Sequence, residues 1–309
     1  MRHPPRRAIA QIAAASVAGF RATLDAHGFT EIFTPKVVAA ATESGANVFP
    51  IDWFGTQAYL AQSPQFYKQT MVGVLDRVYE VAPVFRAEPH DTARHLAEYV
   101  SLDAEIGFIA DHHDVMSILE IVLAGMLQQI TESAAPAVDL LGLTLPDQSL
   151  PLPVIDFANA QAMIEAATGR PTLGEPDLSP VDERWLGDWA RNEHGSEFVF
   201  VTGYPMAKRP FYTHPRPDDP TVSNSFDLLF RGLELVTGGQ RLHLIQDYEA
   251  ALAGHDLTPF AGYLEAFRHG MPPHGGFAIG LERWVARLTG AANIREVTLF
   301  PRDLHHRAP

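Results

Sequence analysis

Arg86 and Glu88 are the first of three charged groups whose types and spacing suit chemistry on a phosphate-bearing substrate. They lie two residues apart at the end of an apolar segment, with Arg94 and His95 a few residues later. In a strand, residues two apart share a face. An arginine fork binds phosphate oxygens, and a carboxylate accepts hydrogen bonds from a base edge. The alternative is an exposed ion pair worth ~0–1 kcal/mol, and these residues alone leave both interpretations open.

Asp227 and Glu234 form the second group. They lie in neighbouring apolar segments separated by Arg231-Gly232. If a tight turn joins two strands there, the carboxylates converge, and converging carboxylates repel each other unless a cation lies between them. Mg²⁺, which prefers oxygen ligands and shares sites with substrate phosphates, fits such a pair. The alternative is two solvated strand residues.

Arg283 belongs to the third group, in which a glycine-rich segment ending at Gly280 leads into a helical pattern. Small residues let a ligand approach the backbone closely, and Arg283 would lie near a helix N-terminus. An ordinary arginine at a helix start is the alternative. The chain has no G-x-x-x-x-G-K-[ST] motif, and residues 275–280 lack the G-x-G of a dinucleotide fold. ATP would therefore need another architecture.

Apolar spacing predicts the elements that carry these groups. A first helix contains Ile9 to Leu24, a strand covers 29–34, and a second helix covers 115–130. The further strands are expected at 78–86, 99–108, 198–202, 226–230 and 233–237, with a glycine-rich strand and a final helix over 275–288. Residues 134–197 are interpreted as a less regular insertion with two short helical patches. Strands clustered between helices, without regular β-α-β alternation, favour an antiparallel α+β domain.

The composition of the chain excludes several kinds of functional site. The chain has 309 residues, of which 46% are hydrophobic, and no cysteine, so disulfides, thiol nucleophiles and cysteine–zinc sites are excluded. Its formal net charge of -14 repels polyanions, so tight nucleic-acid binding would need a local basic patch. No run of 18 apolar residues occurs, so we expect no membrane span and a cytoplasmic location.

In this order, three segments resemble the signature motifs of the class II aminoacyl-tRNA synthetases: residues 29–35, residues 85–88 with Arg94 and His95, and residues 280–283. Five others look like the aspartyl- and asparaginyl-tRNA synthetase core, especially the archaeal aspartyl type: residues 62–68, 209–212, 225–227, 238–241 and 271–277. The resemblance covers about Arg7 to Asp303. It implies a single catalytic domain over 1–309, with a six- or seven-stranded antiparallel sheet flanked by helices, and a homodimer built partly around Pro35.

The resemblance also assigns ATP contacts. Arg86 would grip the α-phosphate, and Glu88 would read the adenine amino group. His95 and Arg283 would hold the outer phosphates, with Glu234 also at the nucleotide. Adenylation is an in-line attack of a carboxylate on phosphorus, which needs positioned cations and no protein nucleophile. A site of arginine, lysine and carboxylates without a Ser-His pair agrees with that chemistry.

The remaining implied contacts concern Mg²⁺ and the amino acid. Asp227 and Glu234 would carry Mg²⁺. Lys68 and Arg241, with Tyr212 nearby, would bind a side-chain carboxylate. Three residues would surround the substrate ammonium: Glu43, Gln65 and Asp103. Charge-assisted bonds are worth ~1.5–3 kcal/mol each, and an amide would present a donor to these donors. Aspartate is therefore favoured over asparagine.

The acceptor of the activated aspartate is less constrained. We expect no N-terminal OB-fold anticodon domain, and residues 89–93 depart from the family's polar loop that approaches tRNA. These differences favour ammonia or another small amine, as in asparagine-synthetase-like relatives, in which the β-carboxylate would be activated. One alternative is transfer to tRNA or to a protein side chain. Another is a non-catalytic amino-acid sensor, and the retained charged residues count against it.

Overall fold

The computed structural model describes residues 3–39, 47–89, 92–147 and 150–306. In chain order, the elements are α1 (Pro4–Ala26), β1 (Thr30–Glu31), β2 (Val37–Val38), β3 (Pro50–Trp53), β4 (Thr56–Leu60), α2 (Gln65–Leu75), β5 (Arg77–Phe85), β6 (Glu98–Gly107), α3 (His112–Ser133), α4 (Ala135–Leu141), β7 (Val154–Asp156), α5 (Phe157–Thr168), α6 (Pro180–His194), β8 (Phe198–Thr202), β9 (Ser225–Phe230), β10 (Glu234–Arg241), α7 (Ile245–Ala251), α8 (Ala261–Arg268), β11 (His274–Gly280) and α9 (Leu281–Thr289). Short 3₁₀ turns cover Met206–Lys208, Thr258–Phe260 and Ile294–Glu296.

A large mixed sheet organises the described residues. Its order is β1-β5-β6-β11-β10-β9-β8-β7, and the six central strands pair with one another in antiparallel orientation. The α+β class is therefore confirmed, but the expected six or seven strands become eight. The difference comes from the edges, where the short strands β1 and β7 each pair in parallel. A separate small sheet has the order β2-β4-β3.

Helices α1 and α3 form one layer against the sheet. In α1 the fully buried residues Ile12, Phe20 and Leu24 recur at helical spacing, as the sequence predicted. The two helices approach closely at Gly19, where an added Cβ would lie 2.6 Å from the oxygen of Gly125. By length and composition α3 could cross a membrane. Within this fold its apolar face is buried in the protein core, as in the core helix of a globular domain.

Two predicted strands have different lengths in the structure. The strand expected over 29–34 is reduced to β1, because the Thr34 amide donates to the Glu80 side chain at 2.7 Å instead of to a strand carbonyl. The strand expected over 233–237 extends to Arg241, with Gly238 packed against the ring of Phe226, where a Cβ would overlap the ring. Glycine at position 238 therefore allows β10 to continue to Arg241.

The region 134–197 is more regular than the sequence indicated. Its described residues form three helices, α4, α5 and α6, instead of two short helical patches, together with strand β7. Side chains from α5 and α6, such as Ile164 and Leu186, form a second apolar core with Val199 and Val201 of β8. Helix α6 has a full capping box between Ser179 and Asp182. This region is therefore packed onto the far edge of the sheet.

Candidate active site

A cavity of about 270 Å³ lies beside strands β6, β10 and β11 and the start of α9. Its walls contain all five residues assigned to ATP from the sequence: Arg86, Glu88, His95, Glu234 and Arg283. Tyr99 and Arg94 also line it. Residues separated by almost 200 positions in the chain thus meet in one space, because β6 and β10 both neighbour β11 in the sheet.

The loop after β5 brings Arg86, Glu88 and His95 to this cavity. The Arg86 amide donates to Ala97 O at 2.9 Å, which continues the hairpin beyond the strand. The Arg86 guanidinium lies 5.7 Å from the centre of the Tyr99 ring, within range of a cation–π contact. His95 Nε2 is 3.9 Å from the Glu88 carboxylate. The guanidinium of Arg86 and the carboxylate of Glu88 therefore share one wall of the cavity.

Glu234 and Arg283 form the opposite side of the cavity. Arg283 Nη1 donates to the main-chain oxygen of Glu234 at 3.0 Å and lies 3.4 Å from its carboxylate. The turn before Glu234 has left-handed residues, Arg231 with φ 50° and Gly232 with φ 70°. A Cβ on Gly232 would lie 2.9 Å from Cα of Arg184 in α6, so the turn needs glycine. The expected tight turn between the two carboxylate-bearing strands is present.

Asp227 and Glu234 lie, together with Glu183, in a group of carboxylates whose charges act on one another. Partial burial, then the charges of Asp227 and Glu183, raise the pKa of Glu234 to about 6, against the lowering effect of Arg283. Glu183 of α6, which the sequence did not single out, accepts a hydrogen bond from the Glu234 amide at 3.0 Å. Asp227 is paired with Arg209 Nη2 at 3.1 Å. The mutual repulsion indicates a place suited to a cation.

Lys68 and Asp103, both assigned to the amino acid from the sequence, form a buried ion pair. Lys68 is 1% exposed. Its Nζ lies 2.9 Å from Asp103 Oδ1 and 3.3 Å from Glu105 Oε2, and it donates to Phe277 O at 3.3 Å. The other oxygen of Asp103 accepts a hydrogen bond from Ser101. Both ions therefore have fixed positions before any ligand binds.

Glu105 connects Lys68 with Arg241, and the sequence did not single it out as a site residue. Its Oε1 accepts from Arg241 Nε at 3.0 Å. Burial by itself raises the pKa of Glu105, but the charges of Arg241 and Lys68 outweigh it and hold the pKa below the ordinary value. The sequence does contain one indication of this role: Glu105 lies two residues after Asp103 in a predicted strand, so the two side chains share a face.

The structure describes three of the other residues assigned to the amino acid: Arg241, Tyr212 and Gln65. The Arg241 guanidinium lies 5.4 Å from the Tyr212 ring centre, so these two are together. Gln65 is 4% exposed, and its Nε2 is buried without a hydrogen-bond partner among the described residues. Such a donor is costly unless a ligand or water satisfies it. Glu43 lies outside the described residues.

Comparison with known proteins identifies the family. The family model described as "tRNA synthetases class II (D, K and N)" matches residues 1–304. A Thermus thermophilus aspartate–tRNA(Asp/Asn) ligase is 50% identical, with 100% of this chain and 73% of that protein covered. A Deinococcus radiodurans protein of the same name is 49% identical, with 98% of this chain and 71% of that protein covered.

Solved structures agree with this result. The asparaginyl-tRNA synthetase of Pyrococcus horikoshii complexed with asparaginyl-adenylate superposes with a TM-score of 0.91 at 30% identity, covering 100% of this chain and 71% of that chain. An aspartyl-tRNA synthetase from Entamoeba histolytica gives 0.84 at 34% identity, covering 98% and 59%. The resemblance stated from the sequence motifs is therefore confirmed. The chain belongs to the class II tRNA synthetases, in the group that contains the D, K and N enzymes.

Proposed function

We propose that this chain is an AMP-forming ligase that activates L-aspartate with ATP. The α-carboxylate oxygen attacks the α-phosphorus, the bond to the β-phosphate oxygen breaks, and pyrophosphate leaves aspartyl-adenylate behind. The aspartyl group then passes to a hydroxyl of tRNA, with release of AMP. The observation that carries the proposal is the buried group of Lys68, Asp103, Glu105 and Arg241 close to the ATP cavity. The names of the 49% and 50% identical relatives support it.

The charges of this buried group favour aspartate over asparagine. Two cations and two carboxylates make it neutral, and aspartate adds an ammonium and a β-carboxylate, which are also neutral together. Asp103 would take the ammonium, while Lys68 and Arg241 would take the β-carboxylate. An asparagine amide would lose charge-assisted bonds worth ~1.5–3 kcal/mol each, or roughly ten- to a hundredfold in affinity per bond. The fold itself does not decide, because a similar structure holds asparaginyl-adenylate.

Arg86 supplies positive charge for the α-phosphate, where negative charge develops during the attack. Glu88 accepts hydrogen bonds from the adenine amino group, and His95 and Arg283 contact the outer phosphates. None of these groups needs to form a covalent bond, because holding the carboxylate and the phosphate in line lowers the barrier by positioning and electrostatics. The cavity that contains all four side chains supports these roles.

Mg²⁺ fits the carboxylates of Asp227 and Glu234. Carboxylate oxygens are its preferred ligands, and the charge of Asp227 adds to burial in raising the pKa of Glu234, which a bound cation would offset. Bound Mg²⁺ would neutralise charge on the ATP polyphosphate. Glu183 holds the Glu234 main chain in place through its hydrogen bond to the amide. Arg209 orients Asp227 from the other side.

The acceptor is proposed as tRNA because the relatives at 49% and 50% identity are named for it. Ammonia, ranked first from the sequence, becomes the second candidate. The net charge of -14 favours a small acceptor over a polyanion. With ammonia, Lys68 and Arg241 would hold the α-carboxylate, and the β-carboxylate would be activated. The homodimer around Pro35 stays a prediction, and the neighbouring Phe33 is 84% exposed, as an apolar interface residue would be.

ATP–pyrophosphate exchange tests the activation step. We expect exchange with aspartate and none with asparagine. Lys68→Leu should raise the KM for aspartate about a hundredfold and leave the KM for ATP within about threefold. The matched control is Lys208→Leu, at an exposed lysine. No exchange with any amino acid, or equal loss of both substrates in Lys68→Leu, would contradict the proposal.

A second assay identifies the acceptor. Labelled aspartate and ATP are incubated with total tRNA or with ammonium. Acid-precipitable label on tRNA supports transfer to tRNA. Labelled asparagine that forms only with ammonium would show that the acceptor is ammonia instead of tRNA. It would not contradict the activation step.

A further inference from the structure

Asp111, His112 and His113 form a compact cluster at the start of α3, apart from the ATP cavity. Asp111 is the N-cap, and its carboxylate accepts a hydrogen bond from the His113 amide at 2.7 Å. The carboxylate oxygen also lies 3.0 Å from His113 Nδ1. One ligand atom from each of the three residues lies within 4.8 Å of the others. Helix capping explains the carboxylate but not the two imidazoles.

His112 is the unexplained member of the cluster. It is 4% exposed, and neither ring nitrogen has a hydrogen-bond partner among the described residues. A buried polar group left unsatisfied costs about 1–3 kcal/mol, and native structures seldom retain one without a reason. The His113 ring lies beside it, with the ring centres 4.2 Å apart. A ligand that takes an imidazole lone pair would supply the missing interaction.

The three residues line a cavity of about 470 Å³, and His214 lines it too. His214 Nδ1 lies 2.6 Å from Pro215 O. Its ring nitrogens lie outside the group of ligand atoms that Asp111, His112 and His113 bring within 4.8 Å of one another. Arg216 also lines the cavity, but Asp156 compensates its charge at 2.7 Å.

We propose that this cavity binds a borderline divalent transition metal ion, with Zn²⁺ as the type case. Asp111, His112 and His113 supply one oxygen and two nitrogen ligands, and water from the cavity would complete a tetrahedral set. Imidazole with one carboxylate suits Zn²⁺, Ni²⁺ or Cu²⁺, whereas Mg²⁺ prefers oxygen ligands alone. This site is therefore distinct from the proposed Mg²⁺ site at Asp227 and Glu234.

The cavity lies behind the amino-acid pocket. Gln240, which lines the metal cavity, precedes Arg241 in β10, so their side chains point to opposite faces of the sheet. The His214 amide donates to Gln240 O at 3.0 Å, and Thr213 forms a bridge with Arg241.

Isothermal titration of the metal-free chain with Zn²⁺, in excess Mg²⁺ and without ATP or amino acid, tests the proposal. We expect one equivalent to bind and the Tm to rise with Zn²⁺ concentration. His113→Ala, at a side chain that is 63% exposed, should weaken binding at least about tenfold without unfolding the chain.

The matched control is His269→Ala, a 77% exposed histidine that also lies beside a carboxylate, Glu265. It should leave Zn²⁺ binding unchanged. Absence of stoichiometric binding, or equal loss in His113→Ala and His269→Ala, would overturn the proposal in favour of surface chelation. Because no substrate is present, either result is independent of whether the chain activates aspartate.

Discussion

Arg241 donates its Nε hydrogen to Oε1 of Glu105 over 3.0 Å, and Glu105 has no exposed surface. The other carboxylate oxygen lies 3.3 Å from Lys68 Nζ. One buried anion therefore holds both cations of the proposed aspartate pocket. The arrangement is preorganised, because the cations need not move or lose water when a substrate carboxylate arrives.

Glu105→Gln should destabilise the chain and impair aspartate use. Removing one partner of a buried ion pair costs about 3–5 kcal/mol, so the free energy of unfolding in urea should fall by that amount. Arg241 would lose its orienting acceptor, so the KM for aspartate should rise at least about tenfold while the KM for ATP stays within about threefold. Glu249→Gln, at a side chain that is 51% exposed, is the control and should change stability by less than about 0.5 kcal/mol. A Glu105→Gln variant as stable as this control would contradict the assigned role.

Gly276→Ala should disrupt the same pocket from β11. A Cβ at this position would overlap the main-chain oxygen of Ala104 and the carboxylate of Glu105. Overpacking of this kind costs about 1–3 kcal/mol, and it should also lower the rate of aspartate-dependent exchange. Gly262→Ala in α8 is the matched control, since nothing lies within 4 Å of its Cβ. There the substitution should stabilise the helix by up to about 1 kcal/mol. Urea unfolding of both variants decides the comparison.

Because of Glu282, we expect the free energy of unfolding to fall as the pH rises. Burial raises the pKa of its carboxyl to about 7, more than the hydrogen bond from the Val100 amide lowers it. Because the pKa is higher in the folded chain, the stabilisation from the protonated Glu282 is complete below the unfolded-state pKa of about 4.5. It is lost as the pH rises through the folded-state pKa. Between about pH 5 and pH 8 the loss is roughly 2–3 kcal/mol. Glu282→Gln should remove that dependence in urea unfolding, and Glu249→Gln, at an exposed carboxylate, should keep it. Equal slopes in the wild type and Glu282→Gln would refute the buried-carboxyl explanation.

The sequence predicted local parts of the site better than its long-range contacts. Arg86, Glu88 and Arg283 could be placed because each lies beside a strand end or helix start that short motifs define. Glu183 could not be placed, because it reaches Glu234 only through the packing of α6, and nothing near Glu183 in the chain signals that contact. His112 precedes the helix predicted over 115–130, and the sequence did not single it out. Its missing partners are visible only when the surrounding side chains are in place.

The parallel edge strand β7 escaped sequence reasoning for a similar reason. Its three residues, Val154–Asp156, are too few for a period-two pattern to be read. Their pairing with β8 depends on the helices between them. The central strands β5, β6, β8 and β9 were predicted to within about two residues, because their apolar patterns are longer and turn residues bound them.

His274 supplies the last prediction, which concerns acid stability. The residue is fully buried, with Nδ1 2.9 Å from Pro272 O and Nε2 3.0 Å from Gln69 Nε2. Nδ1 therefore donates and Nε2 accepts, which fixes the neutral ring. Burial lowers the pKa of His274 to about 4, although the charge of Glu105 raises it.

Because the folded pKa of His274 is below the unfolded value of about 6.5, the unfolded chain binds the proton first as the pH falls. The stabilisation is complete above about pH 6.5 and is lost toward about pH 4, with roughly 2 kcal/mol lost between about pH 7 and pH 5. His274→Gln keeps a hydrogen-bonding side chain but cannot titrate, so its free energy of unfolding should fall less over this interval. His255→Gln, at an exposed position, should behave as the wild type. If His274→Gln and His255→Gln show the same pH dependence in urea unfolding, the buried ring is not the group that titrates, and the acid sensitivity must come from the carboxylates instead.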